Sequence, residues 1–261
     1  MKLVSAKTRR NGDARTDSAE WRMRVDLAAA HRIAHHHGLS EGIFNHLTCA
    51  VPGKNDRYLQ IPFGLHWSEI TASCFLEVSY DGKILKGEGE AERSAYCIHA
   101  PIHRRIPDAV CVMHTHMPFA SALSRLEDPQ IQPIGQTECG LIKDIAYDDL
   151  YTGPAFDPKE GERLARVLGT KKILMMANHG VLTAAKSVAE AYDALYYLER
   201  AAQVQLYAMW TGQKLKAIPQ PVVELTMRTI GGPQYGGKPH WQHHFDALKR
   251  MLDRREPEYR N

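Results

Sequence analysis

An unbroken apolar run that ends in two histidines sets the strongest limit on the fold of this chain. Val110 to Met113 are apolar at every position, which is typical of a strand buried on both faces, and His114 and His116 follow them. Successive side chains of a strand point to opposite faces, so the two histidines share one face. Such a pair can chelate a metal like zinc, because neutral imidazole is a common ligand. A hydrogen-bonded pair beside a core is the alternative interpretation.

A third histidine occupies the same kind of position. His179 comes soon after a second predicted strand at 171–177, which is apolar from Ile173 onwards, and Gly180 comes next. Glycine allows the backbone to turn or to approach a ligand closely. In layered α/β proteins, functional sites collect at strand ends, so His179 is a further candidate for a functional role.

Composition excludes several classes of protein. The 261 residues, 44% of them hydrophobic, fit one large domain with tails or two small ones. No apolar run approaches the ~20 residues of a membrane span, and the first 21 residues lack the apolar centre of a secretory signal, so we expect a cytoplasmic protein without a membrane partner. The five cysteines are odd in number and lack C-x-x-C spacing, which indicates reduced thiols. A net charge of +3 from interspersed residues argues against nucleic acid as a partner.

The chain divides into three parts. Residues 1–16 are polar and predict a disordered tail, 17–210 form the main domain, and 211–261 form a C-terminal arm and helix. Helices are predicted over 17–37, 91–104, 117–126, 158–168, 187–210 and 239–255, and strands over 42–51, 57–64, 74–80, 83–85, 110–116 and 171–177. Asp17 with Glu20 forms a capping-box pattern, and Asp81-Gly82 a hairpin signal. The stretch between the helices at 117–126 and 158–168 is predicted to be irregular. Residues 211–238 are rich in Pro and Gly and are predicted to form an irregular arm.

Three motifs carry a resemblance to a known family. HTHMPFASALS, PDAVCVMHTH and ANHGVL before a long helix resemble the class II aldolase/adducin family, over Asp17 to Trp210. The resemblance implies an α/β fold of three α/β/α layers around a central, largely antiparallel sheet. It also implies a homotetramer with sites at subunit interfaces. One divalent metal per subunit would be held by His114, His116 and His179, with Zn²⁺ expected first and Mn²⁺ or Co²⁺ as alternatives.

The sequence departs from the family pattern where a carboxylate is expected. Sugar-phosphate aldolases place a metal-binding glutamate four residues before the histidine that matches His99, and here that position is Ala95. Glu92, one helical turn earlier, could partly replace it, or it could be a solvated residue favoured by the helix dipole. The other general acid or base candidates are Glu138, Tyr147 and Tyr151.

The substrate loop also departs from the family. Asn45, Gly64 and Ser94 match its polar positions, whereas Phe63 stands where a hydroxyl residue is usual, and Gln136 aligns near a family tyrosine. We therefore expect a small-molecule substrate without a terminal phosphate. His99 and His103, four apart on a helix, could bind a second ion, although such pairs more often pack and hydrogen-bond.

The expected activity is that of a metal-dependent lyase. A metal held by neutral imidazoles is a strong Lewis acid that can stabilise the negative charge formed when a C–C bond next to a carbonyl breaks. Retro-aldol cleavage and decarboxylation of a small hydroxy or oxo acid, or of a sugar-derived compound, share that requirement. A metal-dependent hydrolase and a non-catalytic adducin-like scaffold are the alternatives.

Overall fold

The computed structural model describes residues 18–230 and 236–261, so the predicted tail at 1–16 lies outside the described part. A central eight-stranded sheet has the order β4-β3-β2-β1-β5-β8-β7-β6. β6 and β7 run parallel, and each other neighbouring pair is antiparallel. The strands are β1 (His46–Ala50), β2 (Arg57–Gln60), β3 (Leu76–Ser79), β4 (Ile84–Lys86), β5 (Cys111–Thr115), β6 (Ile145–Asp148), β7 (Ile173–Met176) and β8 (Val181–Ala185).

Helices cover both faces of this sheet. They are α1 (Ala19–His36), α2 (Arg93–Arg105), α3 (Pro118–Leu123), α4 (Gln136–Leu141), α5 (Pro158–Leu168), α6 (Val188–Trp210), α7 (Gln220–Ile230) and α8 (His240–Arg255). Along β5, Cys111 and Met113 pack into the core beneath α1 and α6, whereas Val112 packs into the core beneath α2 and α5. This alternation confirms the three-layer α/β fold with a largely antiparallel sheet.

Close packing of α5 against α2 depends on a missing side chain. A Cβ atom at Gly161 would lie 2.2 Å from the carbonyl oxygen of Cys97, so the two helices meet backbone to backbone. This contact fixes the helix layer that covers the His114 face of the sheet, because His114 shares the face of Val112.

Four elements of the structure were not predicted from the sequence. β6 and α4 contradict the irregular stretch expected before 158, and α7 contradicts the irregular arm expected at 211–238. β8 begins after Gly180, in a segment to which the sequence analysis assigned no element. Pro221 stands in the first turn of α7. Proline is tolerated there because the backbone N–H that it lacks would have no acceptor within the helix. Its presence therefore did not exclude a helix. Helix α1 is capped by Ser18, whose hydroxyl oxygen accepts from the backbone N–H of Trp21.

The C-terminal helix belongs to the main core. The predicted helix at 239–255 is observed as α8, and its apolar side packs on α1 and α6 of the same chain. Phe245 and Leu252 are buried, and so is Tyr259 beyond the helix. The backbone N–H groups of Ala72 and Ser73 donate to the carbonyl oxygens of Tyr259 and Asn261. Within the described ranges, no helix is long and apolar enough to cross a membrane.

Candidate metal centre

Three histidines converge at one end of the sheet. His114 is the last residue but one of β5, His116 comes directly after that strand, and His179 lies in the turn between β7 and β8. β8 pairs with both β5 and β7, which brings the two turns together. One ring nitrogen from each histidine lies within 4.8 Å of those of the other two.

Hydrogen bonds at Nδ1 orient the rings of His114 and His116 and leave Nε2 of each available. The Nδ1 atom of His114 lies 2.9 Å from the carbonyl oxygen of Val181, and that of His116 lies 2.5 Å from the carboxylate of Glu41. Both partners are acceptors, so Nδ1 carries the proton and Nε2 keeps its lone pair. The Nε2 atom of His116 is buried and has no hydrogen-bond partner in the described part of the chain.

The local environment keeps His114 and His179 neutral. Burial and the neighbouring His179 and His116 lower the pKa of His114 well below its ordinary value. Burial and His116 lower the pKa of His179 to about 4. Neutral imidazoles with converging lone pairs are suitable ligands for zinc, so the residues present fit a divalent metal.

The turn that carries His179 has little room. Asn178 adopts a left-handed conformation with φ 55°, which asparagine tolerates better than most residues. A Cβ atom at Gly180 would lie 2.5 Å from the carbonyl oxygen of Thr115 and 2.7 Å from Cδ2 of His116. Glycine at 180 therefore allows the two turns to approach closely enough for the histidines to meet.

Asn45 lies beside the cluster and offers a free donor. It is also left-handed, with φ 80°, and its Oδ1 accepts from the backbone N–H of His116 at 3.1 Å. Its Nδ2 is buried without a hydrogen-bond partner among the residues that the structure describes. A buried donor of this kind is costly unless a ligand or water accepts from it, so Asn45 remains a good candidate for binding substrate.

Comparison with known proteins assigns the chain to a family. Residues 25–206 match the sequence profile described as the Class II Aldolase and Adducin N-terminal domain. The chain belongs to the class II aldolase and adducin family. This family includes lyases such as fuculose-phosphate aldolase and also adducins, which are non-catalytic.

Individual relatives represent both branches of the class II aldolase and adducin family. A protein of Pseudomonas aeruginosa, named as a class 2 aldolase, is 35% identical over 95% of each chain. Mouse alpha-adducin is 32% identical, and the match covers 91% of this chain but 34% of the adducin. The crystal structure of an aldolase II superfamily protein from Pseudomonas syringae has a TM-score of 0.86 and 34% identity, covering 95% of this chain and 99% of that one.

Glu92, the carboxylate considered as a partial replacement for the glutamate missing at Ala95, has other partners. Ala95 is fully buried in α2. Glu92 lies just before that helix, and its Oε2 lies 2.7 Å from Nε2 of His46 while its Oε1 accepts from the hydroxyl of Ser94 at 2.6 Å. Burial raises the pKa of Glu92, but these hydrogen bonds outweigh it and hold the pKa below its usual value. The hydrogen bonds of Glu92 therefore go to His46 and Ser94 and not to the three clustered histidines.

His46 is a residue that sequence reasoning missed. It pairs in register with His114 across β1 and β5, and the two rings stack with centroids 5.7 Å apart. Its position directly after Asn45 in the substrate-loop strand was the available signal, but the pairing with His114 is a long-range contact that no local pattern reveals.

His99 and His103 form a packed, hydrogen-bonded pair. The hydroxyl of Thr48 lies between them, 2.7 Å from Nδ1 of His99 and 2.9 Å from Nε2 of His103. Nδ1 of His103 lies 2.7 Å from the carbonyl oxygen of Ala109. Burial lowers the pKa of His103 to about 4. These contacts support the structural interpretation of the pair over a second ion site.

The remaining predicted residues separate into three places. Tyr151 lies near the cluster, its ring centroid 6.1 Å from that of His179. Tyr147 lies on the opposite face of the sheet from His114, in the α1 and α6 core, and its hydroxyl accepts from the N–H of Ile131 at 3.0 Å. The structure therefore does not place Tyr147 in the site. Phe63 is 42% exposed and lies against Phe44, next to the left-handed Gly64.

Gln136 and Glu138 lie in a different groove. This groove, of about 700 Å³, is bordered by α4, α6 and the segment after α6, which contributes Lys214 and Lys216. None of the residues that line it belongs to the three-histidine cluster. Burial raises the pKa of Glu138 above its usual value. Within one subunit, neither residue is therefore brought to the histidines.

Proposed function

We propose that this protein is a metal-dependent lyase that cleaves a C–C bond next to a carbonyl, by retro-aldol cleavage or decarboxylation. The convergence of His114, His116 and His179, with a buried unpartnered nitrogen, carries the proposal. One divalent metal per subunit, Zn²⁺ first and Mn²⁺ or Co²⁺ as alternatives, would be bound there. Class II aldolases are typically Zn²⁺-dependent. When bound, the ion would act as a Lewis acid that stabilises negative charge on the substrate oxygen.

Side chains around the cluster would bind and orient the substrate. The free Nδ2 of Asn45 would donate to a substrate oxygen, since no acceptor in the described residues satisfies it. Tyr151, whose ring centroid lies 6.1 Å from that of His179, is a candidate to donate or accept a proton. Glu92 and Ser94 would hold His46 in a fixed orientation beside His114.

The substrate proposed is a small hydroxy or oxo acid, or a sugar-derived compound, without a terminal phosphate. Phe63 presents an exposed ring where the family usually has a hydroxyl, and Phe44 extends that apolar surface. An aromatic ring offers a phosphate no hydrogen-bond donor. Arg93, exposed at the start of α2, is a cation that could pair with a substrate carboxylate.

Assembly as a cytoplasmic homotetramer is part of the proposal. Family members are commonly homotetramers. The end of α6 and the face of α7 expose large apolar side chains, including Trp210 at 72% and Leu225 at 56%. A second copy that covered this region would also meet the groove containing Gln136 and Glu138, which would give those residues a role in a shared site.

Metal content tests the proposal most directly. We expect about one divalent ion per purified wild-type chain, measured by inductively coupled plasma mass spectrometry, and loss of metal and activity together in His114→Ala and His179→Ala. His35→Ala, a histidine of α1 that lies outside the cluster, is the matched control and should keep its metal. Full metal content in the two folded variants would contradict the site. Wild-type protein without metal would favour the scaffold.

The reaction and substrate need a separate screen. Carboxylated and phosphorylated sugars and acids would be offered to the metal-loaded protein, with CO₂, aldehyde and hydrolysis products detected separately. CO₂ or aldehyde release supports the lyase, whereas products of hydrolysis alone would support a hydrolase. Faster turnover of a ketose phosphate than of its unphosphorylated form would contradict the proposed substrate class.

A further inference from the structure

We infer that Glu41 is a positioning residue that holds His116 and supplies the negative charge of the metal centre. The inference rests on the proposed function, because it assigns a role at the same metal. It concerns a residue in the loop between α1 and β1. The observation that carries it is the hydrogen bond between the carboxylate of Glu41 and Nδ1 of His116, 75 residues later in the chain.

The loop is folded so that two of its residues hold the same histidine. Glu41 and Phe44 form an isolated antiparallel bridge, and Gly42 between them has φ 60°. Left-handed backbone at Gly42 and at Asn45 turns the chain back on itself. As a result, Glu41 binds the ring of His116 while Asn45 Oδ1 binds its backbone N–H at 3.1 Å. The ring and the main chain of His116 are thus fixed from one short segment.

This arrangement directs the free nitrogen of His116 to the cluster. Because Nδ1 donates to Glu41, the lone pair on Nε2 is the one available for a metal, and that atom is buried and unpartnered among the described residues. Hydrogen bonding of a ligand histidine to a carboxylate fixes its tautomer and raises its basicity. His114 has a neutral partner in the same role, the carbonyl oxygen of Val181.

Other carboxylates near the site are already engaged. The family's glutamate position is Ala95, and Glu92 is bound by His46 and Ser94. Glu160, which influences His179 electrostatically, forms an ion pair with Arg163 at 2.6 Å. Glu41 is the carboxylate in direct contact with a histidine of the cluster. In this proposal the negative charge lies next to a ligand histidine and does not itself bind the metal.

Metal affinity, measured by competition with a chromophoric chelator, tests this role without an activity assay. Glu41→Ala should weaken Zn²⁺ binding by about 10-fold to 100-fold. Glu41→Gln keeps an acceptor oxygen but not the charge, so its loss should be smaller than that of Glu41→Ala. Glu92→Gln removes a charge that is hydrogen-bonded to His46 and not to His116, so its loss should be smaller than that of Glu41→Ala. Glu88→Gln removes an exposed charge elsewhere and should bind Zn²⁺ like wild type. Glu41 is 59% exposed, so these substitutions should leave the fold intact, as circular dichroism would verify.

The hydrogen bond itself can be observed in metal-free protein. The Nδ1 proton of His116 should give a downfield imidazole resonance that disappears in Glu41→Ala and persists in Glu92→Gln. Wild-type affinity in Glu41→Ala would overturn the inference while leaving the three-histidine metal centre in place. A loss in Glu92→Gln as large as that in Glu41→Ala would overturn the assignment of the charge to Glu41. Failure of wild-type protein to bind metal would instead overturn the proposed metal centre, and the role of Glu41 with it.

Discussion

Replacement of Gly180 by alanine should separate the geometry of the metal centre from the stability of the fold. The backbone of Gly180 does not lie in the left-handed region, so alanine can adopt its conformation. The added Cβ, however, would lie 2.5 Å from the carbonyl oxygen of Thr115 and 2.7 Å from Cδ2 of His116. The first contact is with backbone, which cannot rotate away, so the turn and the end of β5 must separate.

The size of the effect follows from these distances. Real Cβ atoms essentially never approach other atoms closer than 3.0 Å, so the contact with Thr115 must open by about 0.5 Å. Metal–ligand distances tolerate only about 0.2 Å of deviation. Overpacking of this kind costs about 1–3 kcal/mol. Binding of the metal would draw the two turns together and restore the clash, so this cost would be subtracted from the free energy of Zn²⁺ binding. Zn²⁺ affinity should therefore fall by about fivefold to 150-fold, since 1.4 kcal/mol corresponds to a factor of ten.

Gly161→Ala is the matched control. Its Cβ would lie 2.2 Å from the carbonyl oxygen of Cys97, between α5 and α2, so the substitution also overpacks backbone against backbone. Both variants should lose about 1–3 kcal/mol in urea unfolding of the metal-free protein. Chelator competition should then show weak Zn²⁺ binding in Gly180→Ala and near-normal binding in Gly161→Ala. Equal Zn²⁺ affinity in the two variants would refute the claim that Gly180 sets the distance between the turns.

Two further predictions concern pH and the C-terminal helix. His103 has a pKa near 4 when folded and about 6.5 when unfolded, so the unfolded chain binds more protons between those values and stability falls as pH decreases. The contribution of His103 to the free energy of unfolding should fall by about 2 kcal/mol between pH 7 and pH 5. His103→Gln should remove this part of the pH dependence, and an unchanged pH dependence of urea unfolding in the variant would contradict the prediction. Phe245→Ala should cost about 3–5 kcal/mol because Phe245 is 1% exposed in the main core, while metal binding of the folded variant persists. A cost below 1 kcal/mol would show that α8 contributes little to the core.

The positions of the three histidines were predictable because strand geometry is local. Alternation of side chains placed His114 and His116 on one face, and the apolar runs marked where each strand ends. The missed strand β8 shows the limit of this reasoning. Its five residues are all buried, yet they lie between a turn and the N-cap at Ser187, so they read as a connection. β8 is nevertheless the strand that joins the two histidine-bearing turns.

Tyr147 shows how a missed strand misplaces a side chain. The sequence suggested an irregular segment, in which the direction of a tyrosine cannot be predicted. Within β6, Tyr147 and Asp148 must point to opposite faces. Asp148 faces α5, where Arg163 binds both of its carboxylate oxygens at 2.6 Å. Tyr147 therefore points to the layer of α1 and α6, and its hydroxyl accepts a hydrogen bond from the backbone N–H of Ile131.

Glu92 does not share the helical face of Ala95, because the helix begins one residue after Glu92. Residues three apart share a face only when both lie in the helix, and Glu92 is the N-cap of α2, with extended angles of φ −67° and ψ 131°. Its side chain is therefore directed to His46 on β1 and not along the face of Ala95. Ala95 itself is fully buried and has no carboxylate to offer. In the proposed metal centre, a negative charge would then come from outside α2, and the loop before β1, where Glu41 contacts His116, is the segment proposed to provide it.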